Sequence, residues 1–447
     1  MTPSLSDLSH ALLDAARKAG ADQADALAVA GAALSIEIRK GALEQAERSE
    51  GVEIGLRVLV GRGQACVSAS DTSGATITAL AERAVAMARE APEDPHAGLA
   101  DPAQLATGWN LAALDLADPA PDTPAAKLEA DAREVEAAAM GLEGITQVQA
   151  GAAYSRRSLH LAATNGFSGG YSRTSTSLSA VAFAGQGPGM QRDHAGESRS
   201  HAADMPGALE IGRRAAERAL ERLGSVKPKT GSFPVVYDER VAASLVGHLL
   251  SAINGSAIAR GSSWARDLLG KQVLPKGISL IEDPHRPRIG SSRPFDGEGL
   301  PTAYRAFVAD GVLTSWVLDL ATGRKLGMAS TANATRGTGA PPSPSTSNID
   351  LTQGARSRDD LISQMGTGLL ITSMIGSTIN PTTGDYSRGA AGFWVENGKL
   401  SHPVHECTIA GNLRDMLLRI IPANDARAHL STRVPSILID GMTLAGA

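Results

Sequence analysis

The sequence predicts an α+β fold with antiparallel and mixed sheets, an N-terminal α+β region and a larger, mostly β C-terminal domain. Three observations lead there. Alternating segments up to residue 70 are separated by glycines at regular spacing, the pattern of an antiparallel meander. Strand segments are grouped with a few long helices and do not alternate with them as in a wound parallel sheet. No fixed-period repeat interrupts the arrangement.

Leu5, Leu8, Leu12, Leu13 and Ala16 fall at helical spacing, with Ser4 or Ser6 placed to cap the start and Gly20 to end it. Alternating segments follow at 26–30, 34–39, 43–48, 52–60 and 64–70, with Gly31, Gly41, Gly51 and Gly61-Arg62-Gly63 as the expected turns. Asp71-Thr72-Ser73 then opens a helix through Leu80, Ala84 and Met87. Prolines from Pro92 to Pro124 punctuate an extended connector. A second unit begins with a helix reaching Met140 and continues with strands at 146–154, 157–164 and 171–184. Asn165-Gly166 marks a hairpin, because both residues tolerate positive φ. Residues 185–201 read as a long polar loop, and a helix over 206–223 is stopped by Gly224.

Residues 225–231 look like a linker, which divides the chain into units 1–91, 92–123, 124–224 and 232–447. The last unit shows a strand at 234–237, a helix at 239–253 and then mostly β segments, at 279–281, 303–309, 312–319, 368–373 and 392–396. The Gly/Pro/Ser stretch 337–346 is expected to stay unpacked and to move.

The bulk numbers narrow the function. A chain of 447 residues is long enough for two or three domains. Net charge is −5, and Arg156-Arg157 and Arg213-Arg214 are isolated pairs, so no clustered basic surface for nucleic acid is expected. Cys66 and Cys407 are too few for a disulfide framework, which fits a reducing cytoplasm. The first helix carries Asp7, Asp14, Arg17 and Lys18 and has no apolar signal-peptide core. No apolar run approaches the ~20 residues of a membrane span.

Several motifs invite a chemical reading. Gly166-Phe167-Ser168-Gly169-Gly170 has the spacing of a hydrolase nucleophile elbow, but its flanks read strand, turn, strand where the elbow needs a following helix. Gly185-Gln186-Gly187-Pro188-Gly189 is glycine-rich, yet Pro188 removes an amide and no helix follows directly, so a phosphate loop is not expected. His402, His405, Glu406 and Cys407 offer imidazole, carboxylate and thiolate within six residues. On a regular strand His405 and Cys407 would share a face, and a site would still need ligands from elsewhere. The alternative is a strand with a buried Cys407 and surface histidines. His248 has Ser244 and Ala252 one turn away on its helix, hence no helical ligand partner, and reads as structural. Asp296 and Glu298 flank Gly297 and either share a proton or cation in a cleft or simply build a turn.

Four stretches carry a resemblance. Thr383-Gly384-Asp385-Tyr386-Ser387-Arg388-Gly389-Ala390-Ala391-Gly392-Phe393-Trp394-Val395-Glu396-Asn397-Gly398 closely resembles a signature of the PmbA/TldE side of the PmbA/TldD metalloprotease family. Segments 292–299, 323–328 and 407–416 resemble the same family. The resemblance implies α+β domains and a TldD-like partner subunit that supplies zinc from a His-Glu-x-x-x-His helix. No such motif occurs here. Counting back without gaps from Arg260-Gly261-Ser262-Ser263 places its three positions at Val246, Gly247 and Ser251, none of which can ligate zinc or act as the base. The region comparable to the partner's cysteine ligand, 431–436, has no cysteine. The expectation is therefore a subunit with no catalytic residues, no metal and no cofactor of its own. It would complete a proteolytic heteromer for flexible peptides, with a homodimer as one form open to the isolated chain. Its segment after Gly231 would form much of the interface. Asp385, Tyr386 and Arg388 are the candidate channel wall, with Asp296 and Glu298 as further candidates; an Asp385–Arg388 pair within a turn is the structural alternative. The family was once named for modulating DNA gyrase, which leaves a regulatory interaction protein as a second reading; an independent hydrolase using the His402–Cys407 cluster is a third.

Overall fold

The computed structural model describes residues 3–446. Helix α1 (Leu5–Ala19) begins at a capping box in which Ser4 and Asp7 bond reciprocally, and it ends on Gly20 at φ 95. Leu8, Leu12, Leu13 and Ala16 form its buried stripe, as their spacing predicts.

Strands β1 (Gln23–Arg39), β2 (Ala42–Val60) and β3 (Gly63–Ala69) follow. They are longer and fewer than the glycines suggested. Gly31 and Gly51 are not turns; they face each other in the β1–β2 ladder. Only Lys40-Gly41, both at positive φ, and the Gly61 corner reverse the chain. A glycine permits a turn but does not force one, and here the flanking apolar alternation continues through it.

After α2 (Gly74–Glu90), the short α3 (Leu111–Leu114) and α4 (Ala125–Met140) come β4 (Ile145–Ala163), β5 (Ser168–Ala184) and β6 (Gln191–Arg199). The stretch expected as a polar loop is therefore largely β6. Its inward positions Asp193 and Glu197 are charged, which hid the alternation. Asp193 pairs with Arg222 and Arg240, and Glu197 with Arg199, Arg214 and Arg427. All six strands form one sheet in the order β3-β2-β1-β4-β5-β6, so strands of both N-terminal units share a single ladder through β1 and β4. The Asn165-Gly166 hairpin joins β4 to β5, and no helix follows Ser168.

Alternation sends Ala24, Ala26, Ala28, Ile36 and Ile38 of β1 to one face. There they meet α1 and α2 at one end and α4 and α5 (Ala208–Leu220) at the other. On the opposite face Leu99, Leu105, Ala106 and Trp109 of the connector pack against the sheet. Leu27, Val29, Leu161 and Phe167 on that side pack against Phe295 of the C-terminal domain.

The C-terminal domain is built on a closed barrel. Strands β7 (Gly231–Tyr237), β14 (Gly368–Ile379), β15 (Asp385–Glu396), β16 (Lys399–Asn412) and β19 (Ile437–Ala445) pair in the order β16-β15-β14-β7-β19, and β16–β19 pairing closes the ring. The short β17 (Ile421–Pro422) extends β19. A five-stranded sheet lies beside it: β8 (Leu280–Glu282), β9 (Arg305–Ala309), β10 (Val312–Leu313), β13 (Ile349–Leu351) and β18 (Thr432–Arg433). Helix α6 (Glu239–Ala252) places Leu245, Val246 and Leu249 in the core shared by barrel residues Tyr237, Ile371 and Ile409 and sheet residues Leu280 and Phe307. The outer side of the barrel is covered by α9 (Arg358–Met365). Short helices α7 (Gly255–Ala259), α8 (Leu320–Leu326) and α10 (Leu413–Leu417) complete the domain. No helix is long and apolar enough to cross a membrane among the described residues.

The stretch expected to stay unpacked, 337–346, is mixed: Gly337, Gly339, Ala340, Pro341 and Ser343 are exposed, while Thr338 and Pro344 are buried. Strands β11 (Ala334–Thr335) and β12 (Ser343–Pro344) pair across it, and Thr338 is buried against β2. Its small residues serve close approach: a Cβ on Gly55 would lie 2.2 Å from the Thr338 carbonyl oxygen. Beside this contact Asp25 accepts from Arg57 Nε at 2.6 Å and pairs with Arg336, all three buried. Burial lowers the Arg336 pKa to about 10.

Candidate functional site

Helix α6 leaves β7 at Asp238, whose carboxylate caps the helix by accepting from the Arg240 amide at 3.2 Å. The three positions picked out by the resemblance do not converge. Val246 is 2% exposed and sits in the apolar core. Gly247 is half-buried, and a Cβ there would meet nothing within 4 Å. Ser251 is exposed. Ser436, from the segment comparable to the family's cysteine ligand, accepts from the Glu239 amide at the opposite end of α6. Among the described residues, no group of three or more His, Cys, Asp or Glu is arranged to hold a metal ion. Val246 and Gly247 have no ligating atom in their side chains.

The polar groups that do meet are His248 of α6, Tyr237 of β7, and Tyr386 and Arg388 of β15. Tyr237 is fully buried and donates from its hydroxyl to that of Tyr386 at 3.4 Å. The His248 ring stands edge-on to Tyr386, centroids 5.8 Å apart, and its buried Nε2 has no hydrogen-bond partner among the described residues. Burial, and then the charge of Arg388, lower the His248 pKa. Burial raises both tyrosine hydroxyls. Arg388 Nε donates to the Gly376 carbonyl at 2.8 Å, which fastens the projecting end of the β14–β15 hairpin. Sequence spacing had no means of joining Tyr237 and His248 to this group, because they come from separate elements far from 386 in the chain.

Asp385 is exposed and accepts from Thr383 Oγ1 at 2.6 Å and Asn412 Nδ2 at 3.0 Å. The Thr383 bond, then the Asn412 bond, hold its carboxyl below the ordinary range. Asp385 and Arg388 lie three apart on a strand, so they point to opposite faces and take separate partners, not one another. Tyr386, 2% exposed, is a brace behind the surface. The accessible groups are Asp385 and Arg388.

The other candidates separate. In β16 a bulge lies between the Ala390↔Cys407 and Gly392↔Val404 pairs, and Glu406 has φ 50. The bulge breaks the alternation that would have put His405 and Cys407 on one face. Cys407 is buried beside Val404 and donates to the Ala390 carbonyl at 3.2 Å; burial raises its thiol to about 11. His402 bonds with Ser401, and Glu406 faces Lys227 at 3.5 Å.

Asp296 and Glu298 are buried at the junction with the N-terminal sheet, not exposed in a channel. Asp296 accepts from the amides of Glu298, Leu300 and Ala334 at 2.9–3.0 Å, and Glu298 from the amide of Leu320 at 2.8 Å. Burial, then the neighbouring Asp296 charge, raise the Glu298 pKa to about 8. They tie loops together.

Comparison with known proteins places this geometry. Residues 24–88, 118–223 and 230–446 match the first, central and C-terminal domains of the PmbA/TldA metallopeptidases. The metalloprotease PmbA of Escherichia coli O157:H7 is 35% identical over 415 residues, covering 92% of this chain and 90% of its own. The chain belongs to the PmbA/TldD metallopeptidase family. A Bacteroides thetaiotaomicron structure described as a candidate modulator of DNA gyrase superposes with a TM-score of 0.91 at 27% identity, covering 98% of each chain. TldE from Thermococcus kodakarensis shares the fold, with a TM-score of 0.85 at 18% identity over 98% of this chain and 99% of that one. As a PmbA/TldD-family chain it carries the three family domains in order, and α6 lies in the C-terminal one.

Proposed function

We propose that this chain is the non-zinc-binding, TldE-type subunit of a heteromeric cytoplasmic metalloprotease, and that it shapes the channel by which flexible peptides reach the zinc of a TldD-like partner. The observation that carries this reading is the make-up of α6. At the positions of the family's zinc helix it has a core valine, a glycine and an exposed serine, and its one histidine is braced against Tyr386. The TldE fold likeness supports it.

Zinc on the partner would polarise the peptide carbonyl and activate water. The part of this chain is binding and orientation. Arg388 keeps donors beyond the one given to Gly376, and these suit carbonyl oxygens or a carboxylate of an extended peptide. Asp385 offers a carboxylate on the opposite face of the strand to peptide amides or cationic side chains. His248, Tyr386 and Tyr237 hold β15 against α6 and so fix where Arg388 stands. Holding a peptide in register can lower a barrier by several kcal/mol, on the order of the proximity effect.

Elemental analysis and peptide hydrolysis by the purified chain test the metal part. No stoichiometric zinc and no cleavage are expected; one tightly bound zinc per chain, lost in His405→Ala or Cys407→Ser, overturns it. The description of the Bacteroides relative favours one second reading, a regulatory protein acting on DNA gyrase. Co-purification separates the two: a TldD-like protein is expected, and gyrase alone would decide for the second.

A further inference from the structure

We propose that a cleft between the N-terminal sheet and the C-terminal domain binds a peptide carboxylate. The cleft holds about 360 Å³ and is walled by β4, β5 and β6 on one side and by residues 288–290 and 429–431 on the other. The peptide as ligand rests on the subunit reading above; the anion preference rests on the cleft alone.

Arg157 of β4 and Arg173 of β5 are direct cross-strand partners, as are Ser155 and Ser175 one step along the same face. Like charges directly opposite one another in an antiparallel pair are unfavourable. Other arginines here are neutralised. Arg199 and His429 share the buried Glu197, and Arg288 pairs with Asp115 and Asp204. Arg157 and Arg173 have no carboxylate partner among the described residues. Arg173 donates only to neutral oxygens, those of Gly290, Ser292 and Tyr171, and lies over the Tyr171 ring at 5.1 Å. These bonds orient it at the cleft wall. The Arg157 side chain is exposed and makes no hydrogen bond or ion pair among the described residues. The cleft lining contains no Asp or Glu. The carboxylate of the adjoining cavity, Asp296, already accepts from backbone amides.

Two guanidinium groups on neighbouring strands match the two oxygens of a carboxylate, and Ser155, Ser175 and Ser198 add hydroxyl donors along the same wall. Leu430 gives an apolar surface for the residue bearing the carboxylate. Two sources share this chemistry, a free peptide C-terminus and an acidic side chain.

Calorimetry on the full chain without any partner tests the proposal with three acetylated tetrapeptides: tetra-alanine with a free C-terminus, the same peptide amidated, and an amidated peptide with one internal Glu. At least one carboxylate peptide is expected to bind at least about tenfold tighter than the neutral one, the loss that a missing charge-assisted bond produces. The free-ended and Glu peptides, compared with each other, identify the source. Arg157→Ala and Arg173→Ala should each weaken that binding about tenfold or more, with Arg157→Lys retaining part of it. Arg157→Ala should leave Tm unchanged or raised, because it relieves repulsion. Equal binding of the neutral peptide, undiminished binding by Arg157→Ala, no binding of either carboxylate peptide, or a Tm lowered by Arg157→Ala each overturns the site. Because no partner is present, a failure here is separate from a failure of the protease-subunit reading, which is judged on hydrolysis by the mixture.

Discussion

The imidazole of His248 stands edge-on to the phenol ring of Tyr386, at 73° between ring planes, and joins helix α6 to strand β15. Helix α6 thus meets the barrel through an aromatic brace. Tyr386 thereby backs Arg388, two residues along the same face of the strand.

Truncating the brace separates packing from hydroxyl chemistry. Tyr386→Phe loses the long bond from Tyr237 and the weak donation to Met374 Sδ at 3.6 Å, and should cost about 1 kcal/mol or less. Tyr386→Ala leaves a cavity in the barrel core and should cost about 3–5 kcal/mol. Urea unfolding of the isolated chain measures both. Equal losses would mean that the hydroxyl, not the ring, carries the role.

Arg388→Ala should weaken peptide turnover by a mixture with a TldD-like subunit while the partner's zinc content stays constant. The same variant should still form the complex. If size-exclusion chromatography shows the complex lost, the Arg388–Gly376 bond serves assembly and not substrate.

The joint between sheet and barrel domain depends on Gly55. A methyl group there meets the Thr338 backbone, with its carbonyl oxygen 2.2 Å away, and backbone cannot swing aside as a side-chain end can. Gly55→Ala should destabilise by about 1–3 kcal/mol, the usual cost of overpacking. Gly51→Ala, with open space around it, is the control and should be near neutral.

Glu298 sets a pH dependence. Its folded pKa is raised to about 8, mainly by burial, against an unfolded value of about 4.3. The folded chain thus holds a proton that the unfolded chain releases. Its stabilising contribution is complete below the unfolded value and is lost as pH rises towards about 8. Asp296 is raised in the same direction by burial. Melting temperatures of Glu298→Gln between pH 5 and 9 should fall less steeply than those of the wild type. Parallel curves would contradict the assignment.

Much of this was legible in the residues. The α+β class, a cap for α1 at Ser4 or Ser6, the Asn165-Gly166 hairpin and α6 follow from spacing and turn chemistry, and the structure selects Ser4. Strand β6 was not legible, because its inward positions Asp193 and Glu197 are charged and become intelligible only with the arginines that reach them. The burial of Thr338 within 337–346 was not legible, because small residues that read as flexible also permit close approach. Asp296 and Glu298 were recognised as a pair, but the backbone amides that claim them lie elsewhere in the chain. At 405–407 a bulge overrode the two-residue period, and no local sequence pattern announces it.

The most direct test is peptide hydrolysis by the zinc-loaded TldD-like subunit, assayed alone and after addition of this chain in equal amount. Cleavage of an unstructured peptide is expected only in the mixture, with the activity following complex formation. A mixture that cleaves no faster than the partner alone would contradict the reading of this chain as a protease subunit.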